Sequence, residues 1–161
     1  MEQNKYLKPH SLIRMFAALI ALVVFISLFV GKQIVHADFE DVYYVWTEVF
    51  FGGDYCKPTV VGFIGYLFVF IGGLAGLAFV FIDEIIGEDL TKKLAFVAGA
   101  LMVLGGIMIL MTGVLFRTIN KPKHGDLNAF RLAAGPIVFG ILGIVAGCGN
   151  VAAPILEDKD F

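Results

Sequence analysis

The chain has 161 residues, 12 Lys+Arg against 14 Asp+Glu for a formal net charge of −2, and 59% hydrophobic residues. Every charge lies outside four stretches, residues 15–31, 58–82, 94–116 and 132–156, which are 17, 25, 23 and 25 residues long. That partition excludes a soluble globular domain and a disordered chain, and also a transmembrane β-barrel, whose spans run to about 10 residues and alternate.

A helix needs about 20 apolar residues to cross some 30 Å of hydrocarbon, and in lipid only a helix or a closed barrel satisfies its own backbone. The fold class read from the sequence is therefore an all-α membrane protein. It has four transmembrane helices in an up-down bundle, with spans at about 12–31, 58–82, 94–116 and 132–156 of a single domain. The basic residues are scattered, with no dense or aromatic-interleaved patch, so no nucleic-acid partner is expected.

The first span follows Lys5, Lys8 and Arg14. Leu12 and Ile13 join it if Arg14 snorkels toward the headgroups. Val35-His36-Ala37-Asp38 also fits a signal-peptidase site, so residues 1–37 read either as a cleaved signal or as a retained first helix. We adopt retention. With the N-terminus inside, six basic residues fall on each side, but the flanks of the first span divide three to one. This favours cytoplasmic N- and C-termini, and the basic loop between the third and fourth spans opposes it.

Between the first two spans, Phe39, Val42, Tyr43, Trp46, Val49 and Phe50 recur at helical spacing. Asp38 is placed to cap, and Gly52-Gly53 to stop, such a helix. The spacing predicts an amphipathic interfacial helix over 38–51, with Tyr and Trp at headgroup depth; a β-hairpin is the alternative, since the same residues favour strands. The segment has no Lys or Arg from 33 to 56. Asp38, Glu40, Asp41, Tyr44, Trp46 and Glu48 are the residues it offers to a docking partner.

The next signal is glycine. Fourteen of the 19 glycines fall in spans two to four. The second span carries Gly62, Gly65, Gly72 and Gly76. The third carries Gly99, Gly106 and Gly113, seven apart, with Ala98 and Gly105 beside them. The fourth carries Gly140 and Gly147, with Gly143 between. A seven-residue repeat keeps one seam facing a partner, and small residues let backbones approach where dispersion drives packing. These ten glycines are predicted to be helix-packing residues binding spans two to four together. The first span, with Ala17, Ala18, Ala21 and Ser27, is expected at the periphery.

The residues offer little reactive chemistry. His10, His36 and His124 lie outside the charge-free stretches, as does every Asp, Glu, Lys and Arg, and such intramembrane groups are what ion paths and proton relays use. Glu88 and Asp89 ahead of the third span read as complements to its dipole, with a cation or acid–base site as the alternative. Lys121-Pro122-Lys123-His124-Gly125-Asp126 reads as a solvated basic turn, or as one that takes a lipid phosphate. Cys56 and Cys148 fall on opposite membrane faces, so no internal disulfide is expected. No phosphate loop, Ser–His–Asp set, HExxH or CxxC occurs. The sequence thus yields no catalytic, metal or cofactor residues, and bound lipids are expected.

In outline, the four spans with both ends inside resemble the Golgi four-span proteins of the COPI-associated kind and the MARVEL-type vesicle proteins. The likeness is one of topology and carries no residues over. It implies a tetraspan trafficking role. The residues themselves favour a non-catalytic membrane subunit or scaffold, with other membrane subunits, further copies of itself and lipids as partners. A small homo-oligomeric channel or transporter for a neutral or hydrophobic solute is the alternative.

Overall fold

The computed structural model describes residues 8–36, 42–120 and 129–157. The order of elements is α1 (Pro9–Ser27), β1 (Ile34–His36), β2 (Tyr43–Tyr44), α2 (Trp46–Phe51), α3 (Val61–Ile86), α4 (Glu88–Asn120), β3 (Phe130–Leu132) and α5 (Ala134–Glu157). The protein is mostly helical, and four segments are long and apolar enough to cross a membrane: Pro9–Ser27, Val61–Ile82, Asp89–Asn120 and Ala134–Leu156. This is the make-up of a multi-pass integral membrane protein.

The helix ends follow local chemistry. Pro9 opens α1, where its missing N–H costs nothing. The last turn tightens through bonds from Leu28 N to Phe25 O (3.2 Å) and from Val30 N to Ser27 O (3.2 Å), and Gly31 at φ +93° turns the chain away. Between α3 and α4 the expected 11-residue turn is one residue, Gly87, at φ +85°. The charged residues around it continue the two helices, so Glu88 and Asp89 stand in the first turn of α4 rather than ahead of it. The Asp89 carboxylate, in the first turn, complements the helix dipole.

Gly65 of α3 meets Gly105 of α4 and Gly72 meets Ala98, while on the other side of α4 Gly106 meets Gly140 of α5 and Gly99 meets Gly147. The expectation that α1 lies at the periphery is corrected. α1 packs on both α3 and α5, closing a four-cornered arrangement in which it stands diagonally across from α4. Its alanines are the reason. Ala17, Ala18 and Ala21 are buried on one face together with Ser11, Arg14, Val24 and Ser27, and Ala21 abuts Gly73 of α3. The centre is filled by Ala17, Ala21, Val24, Val69, Met102, Ile109 and Ala146.

The segment 38–51 is the second correction. Residues 37–41, including Asp38, Glu40 and Asp41, lie outside the described residues. Of the rest, Tyr43–Tyr44 is a strand and only Trp46–Phe51 is helical. β1 pairs antiparallel with β2 (Ile34↔Tyr44, Val35↔Tyr43) and on its other edge with β3 (Ile34↔Leu132, Val35↔Arg131, His36↔Phe130). A Tyr-Tyr pair favours extended backbone, and a strand already present at Ile34–His36 offers it a ladder that an isolated helical turn lacks.

Candidate functional site

The glycine positions sort by neighbour. In α4, Ala98, Gly105 and Thr112 form one small-residue row and Gly99, Gly106 and Gly113 form the next. The first row faces α3: a Cβ at Gly105 would lie 2.5 Å from Gly65 O, one at Gly65 2.6 Å from Gly105 O, one at Gly72 2.6 Å from Ala98 O, and one at Gly62 would strike the Thr112 hydroxyl. The second row faces α5 and the cap: Cβ atoms at Gly99 and Gly106 would lie 2.7 and 2.5 Å from the carbonyls of Gly147 and Gly140, and one at Gly113 would lie 3.0 Å from Leu132 Cβ. Gly143 lies under Val69, and Gly76 under the Asn150 amide. Successive residues of a helix point about 100° apart, so two adjacent rows put α3 and α5 near a right angle around α4. The ten glycines predicted to pack, and Gly105 with them, all lie at contacts within one chain. Gly73, which admits Ala21 of α1, belongs with them and carried no repeat to mark it.

The second feature is a cap at one end of the bundle. α4 has 33 residues, roughly 50 Å at 1.5 Å per residue, so it outreaches a 30 Å hydrocarbon layer. Its far end props the cap: Phe116 and Asn120 are fully buried. Asn120 Oδ1 accepts the Lys57 N–H (2.5 Å), and its Nδ2 donates to Lys57 O (3.4 Å) and Phe116 O (3.0 Å). Ala133 N bonds Gln33 O (2.9 Å) and Thr59 N bonds Val49 O (2.8 Å).

The described docking candidates are built into this cap. Glu48 accepts the Val45 N–H (3.2 Å) at the start of α2, an N-terminal capping contact. Trp46 meets Phe29 and Phe51 edge-on, and Tyr44 lies against Phe116 and Phe130. Burial, and then the nearby Cys56 thiol and Glu48 carboxylate, push the Tyr44 hydroxyl above the ordinary tyrosine pKa. The cap's exposed aromatics are others: Tyr43, Phe51 and Tyr55, at 46, 58 and 70% exposure.

The third feature lies inside the helices. Arg14, expected to snorkel, is 1% exposed; it faces the bundle, within the first candidate span. That corrects the expectation that Arg14 snorkels toward the headgroups. Ile13, beside it, touches the level of Gly149 in α5. Asn150, one residue on, is 1% exposed, gives its Nδ2 to Met102 Sδ (3.2 Å) and leaves its Oδ1 without a hydrogen bond. Toward the cap, Tyr66 donates to Gln33 Oε1 (3.4 Å), Gln33 Nε2 to Leu28 O (3.4 Å), and Ser27 to Val24 O (2.6 Å).

The fourth feature is a cleft of about 480 Å³ where the cap meets α5, lined by Lys32, Val35, His36, Arg131, Leu132, Ala134 and Ile137. β-Pairing creates it: the register sets Arg131 opposite Val35. Lys32 places its ammonium 4.3 Å from the centre of the Tyr43 ring, and the His36 ring stands edge-on to Phe130 at 4.9 Å. Sequence reasoning did not find this cleft, because the basic residues come from either end of the chain. The Lys121–Asp126 turn lies outside the described residues.

Cys56 and Cys148 form no disulfide. The Cys56 thiol donates to Glu48 O at 3.1 Å. Among the described residues, no group of three or more His, Cys, Asp or Glu is arranged to hold a metal ion. Comparison of the chain with family models, with curated proteins and with solved structures found no match.

Proposed function

We propose that the chain is a non-catalytic, multi-pass membrane subunit or scaffold, with four spans running up and down through the bilayer. Its contact surface is the cap, and its partner is another membrane protein or a second copy. The observation that supports this reading is the inequality of the two ends. One end joins α3 to α4 by a single glycine. The other carries three strands and α2, cross-tied to α4 by Asn120 and to α5 through Ala133. Among the described residues the elaboration is confined to one end, and the reading places the contact surface there.

The glycine rows give the cap a rigid base rather than a partner's seat, because they are filled by the chain's own helices. On this reading both termini lie on the cytoplasmic side and the cap on the outer or lumenal side, with α2 at the interface and its exposed Phe51 beside Tyr43 and Tyr55 at headgroup level.

The experiment is purification of the full chain from its membrane in mild detergent, with a photo-cross-linking residue at Tyr55 or, as a control at the opposite end, at Lys93. Expected is a stoichiometric complex or a defined oligomer, cross-linked from Tyr55 and not from Lys93. A monomer without cross-links from the cap would overturn the reading.

A further inference from the structure

The cleft beside α5 gathers Lys32, His36 and Arg131, and among the described residues no Asp or Glu lines it. Two of these basic side chains precede or lie in β1, and the third is the middle residue of β3, so the antiparallel register brings them together. The first turn of α5, at Ala134, forms one wall, and a helix N-terminus adds the equivalent of about half a positive charge. The field in the cleft therefore suits an anion. Arg131 supplies a planar fork that matches phosphate oxygens, and Lys32 a compact charge.

The remaining walls are apolar: Val35, Leu132, Ala134 and Ile137. Ile137 also begins a line. Ile137, Ile141 and Val145 are 41, 50 and 57% exposed, and a four-residue spacing stacks them along one face of α5. This track leads from the cleft into the level of the hydrocarbon. A free phosphate ion has no use for it.

We propose that the cleft seats the anionic phosphate headgroup of a membrane lipid, with one acyl chain lying down the Ile137–Ile141–Val145 face of α5. The site holds its lipid where the cap sheet meets α5 and so bridges the sheet to the transmembrane body. It stands apart from the assembly role of the cap, since a lone monomer would bind the lipid equally.

The test is native mass spectrometry of the full chain in mild detergent, offered equal amounts of phosphatidylglycerol and phosphatidylcholine with identical acyl chains. Wild-type protein is expected to retain phosphatidylglycerol several-fold over phosphatidylcholine. Each basic residue near a membrane surface is worth about fivefold in anionic-lipid binding, so Lys32→Gln and Arg131→Gln should each lower the preference by about that factor and together remove it. Lys93→Gln, an exposed basic residue at the other end, should leave it unchanged. Ala134→Glu keeps every basic side chain and adds a carboxylate that suits the first turn of a helix; it too should abolish the preference. A preference that survives both the double substitution and Ala134→Glu overturns the proposal. So does inorganic phosphate or glycerol 3-phosphate that occupies the cleft and displaces the lipid at millimolar concentration, since the site would then belong to a free phosphate.

Discussion

Replacing Gly105 by alanine is expected to destabilise the bundle by about 1–2 kcal/mol. The added Cβ would sit 2.5 Å from Gly65 O, 2.9 Å from Val69 N and 3.0 Å from Phe68 Cβ. Carbon and carbonyl oxygen rest at about 3.3 Å or more, so α3 and α4 must part by roughly 0.8 Å at that level. A gap of that size forfeits a quarter to a half of each dispersion contact, which is worth about 0.1–0.2 kcal/mol. If about 50 atom pairs are affected, as many as one buried leucine makes, the loss is about 2–3 kcal/mol. Alanine's better helix propensity returns about 1 kcal/mol. The assay is reversible unfolding in mixed micelles, with Gly135→Ala as the comparison, because a Cβ there meets only Phe139 Cε2 at 3.8 Å. That variant should be neutral or more stable. Gly65→Ala should cost a similar amount, and the Gly65→Ala/Gly105→Ala double variant less than the sum, because the helices part once for both. Equal tolerance of alanine at 105 and 135, or strict additivity at 65 and 105, would refute a backbone-to-backbone seam.

Asn120→Ala removes three hydrogen bonds from a fully buried residue and should cost about 2–4 kcal/mol, with faster amide exchange around Lys57; Thr118→Ala, at an exposed hydroxyl, should stay within about 0.5 kcal/mol. Asn150→Leu exchanges an amide with an unbonded oxygen for an apolar group of similar size, so denaturation in micelles should find it neutral or stabilising, whereas Asn150→Asp should be strongly destabilising. A membrane-permeant maleimide should modify exposed Cys148 and leave buried Cys56 untouched until the cap unfolds, as read by mass spectrometry of peptides. Because the folded pKa of Tyr44 lies above that of the unfolded chain, its contribution is complete below about pH 10. It should fade as pH rises through the folded value, with Trp46 fluorescence reporting loss of the cap and Tyr44→Phe lacking that component.

The helical body was legible because hydropathy and charge act residue by residue along the chain. The four charge-free stretches fall for the most part in the four long helices, and the two heptad rows of α4 are written in its sequence. Which neighbour each row meets was not, since that depends on helices joined later in space. Arg14 was misread for a related reason: snorkelling is the rule for a residue that faces lipid, and whether position 14 faces lipid is decided by α3 and α5. Its own helix carried the clue, for Arg14 falls on the face of Ala17, Ala18 and Ala21 at helical spacing. The 38–51 segment shows pattern losing to pairing. Its helical periodicity persists in Trp46–Phe51, but Tyr43 and Tyr44 answer to Ile34 and Val35, which lie outside the 38–51 segment. The basic cleft is the extreme case, drawn from residues before β2 and after α4 that only the sheet register unites.

The central position of β1 has a bearing on how the protein is made. β1 is synthesised directly after α1, yet one of its two ladder partners, β3, is the last strand to leave the ribosome. The neighbours of α1 follow the same schedule, since α3 comes next among the long helices and α5 comes last. The α3–α4 hairpin, closed by one residue at Gly87, can pack as soon as it is in the bilayer. The first helix has to wait for the fourth. Until then its buried face, Arg14 included, lacks the α5 wall, and β1 keeps an unpaired edge of the kind that invites wrong partners. A chain stopped before Phe130 would therefore carry an open edge on β1 and an α1 face, Arg14 included, without its α5 wall.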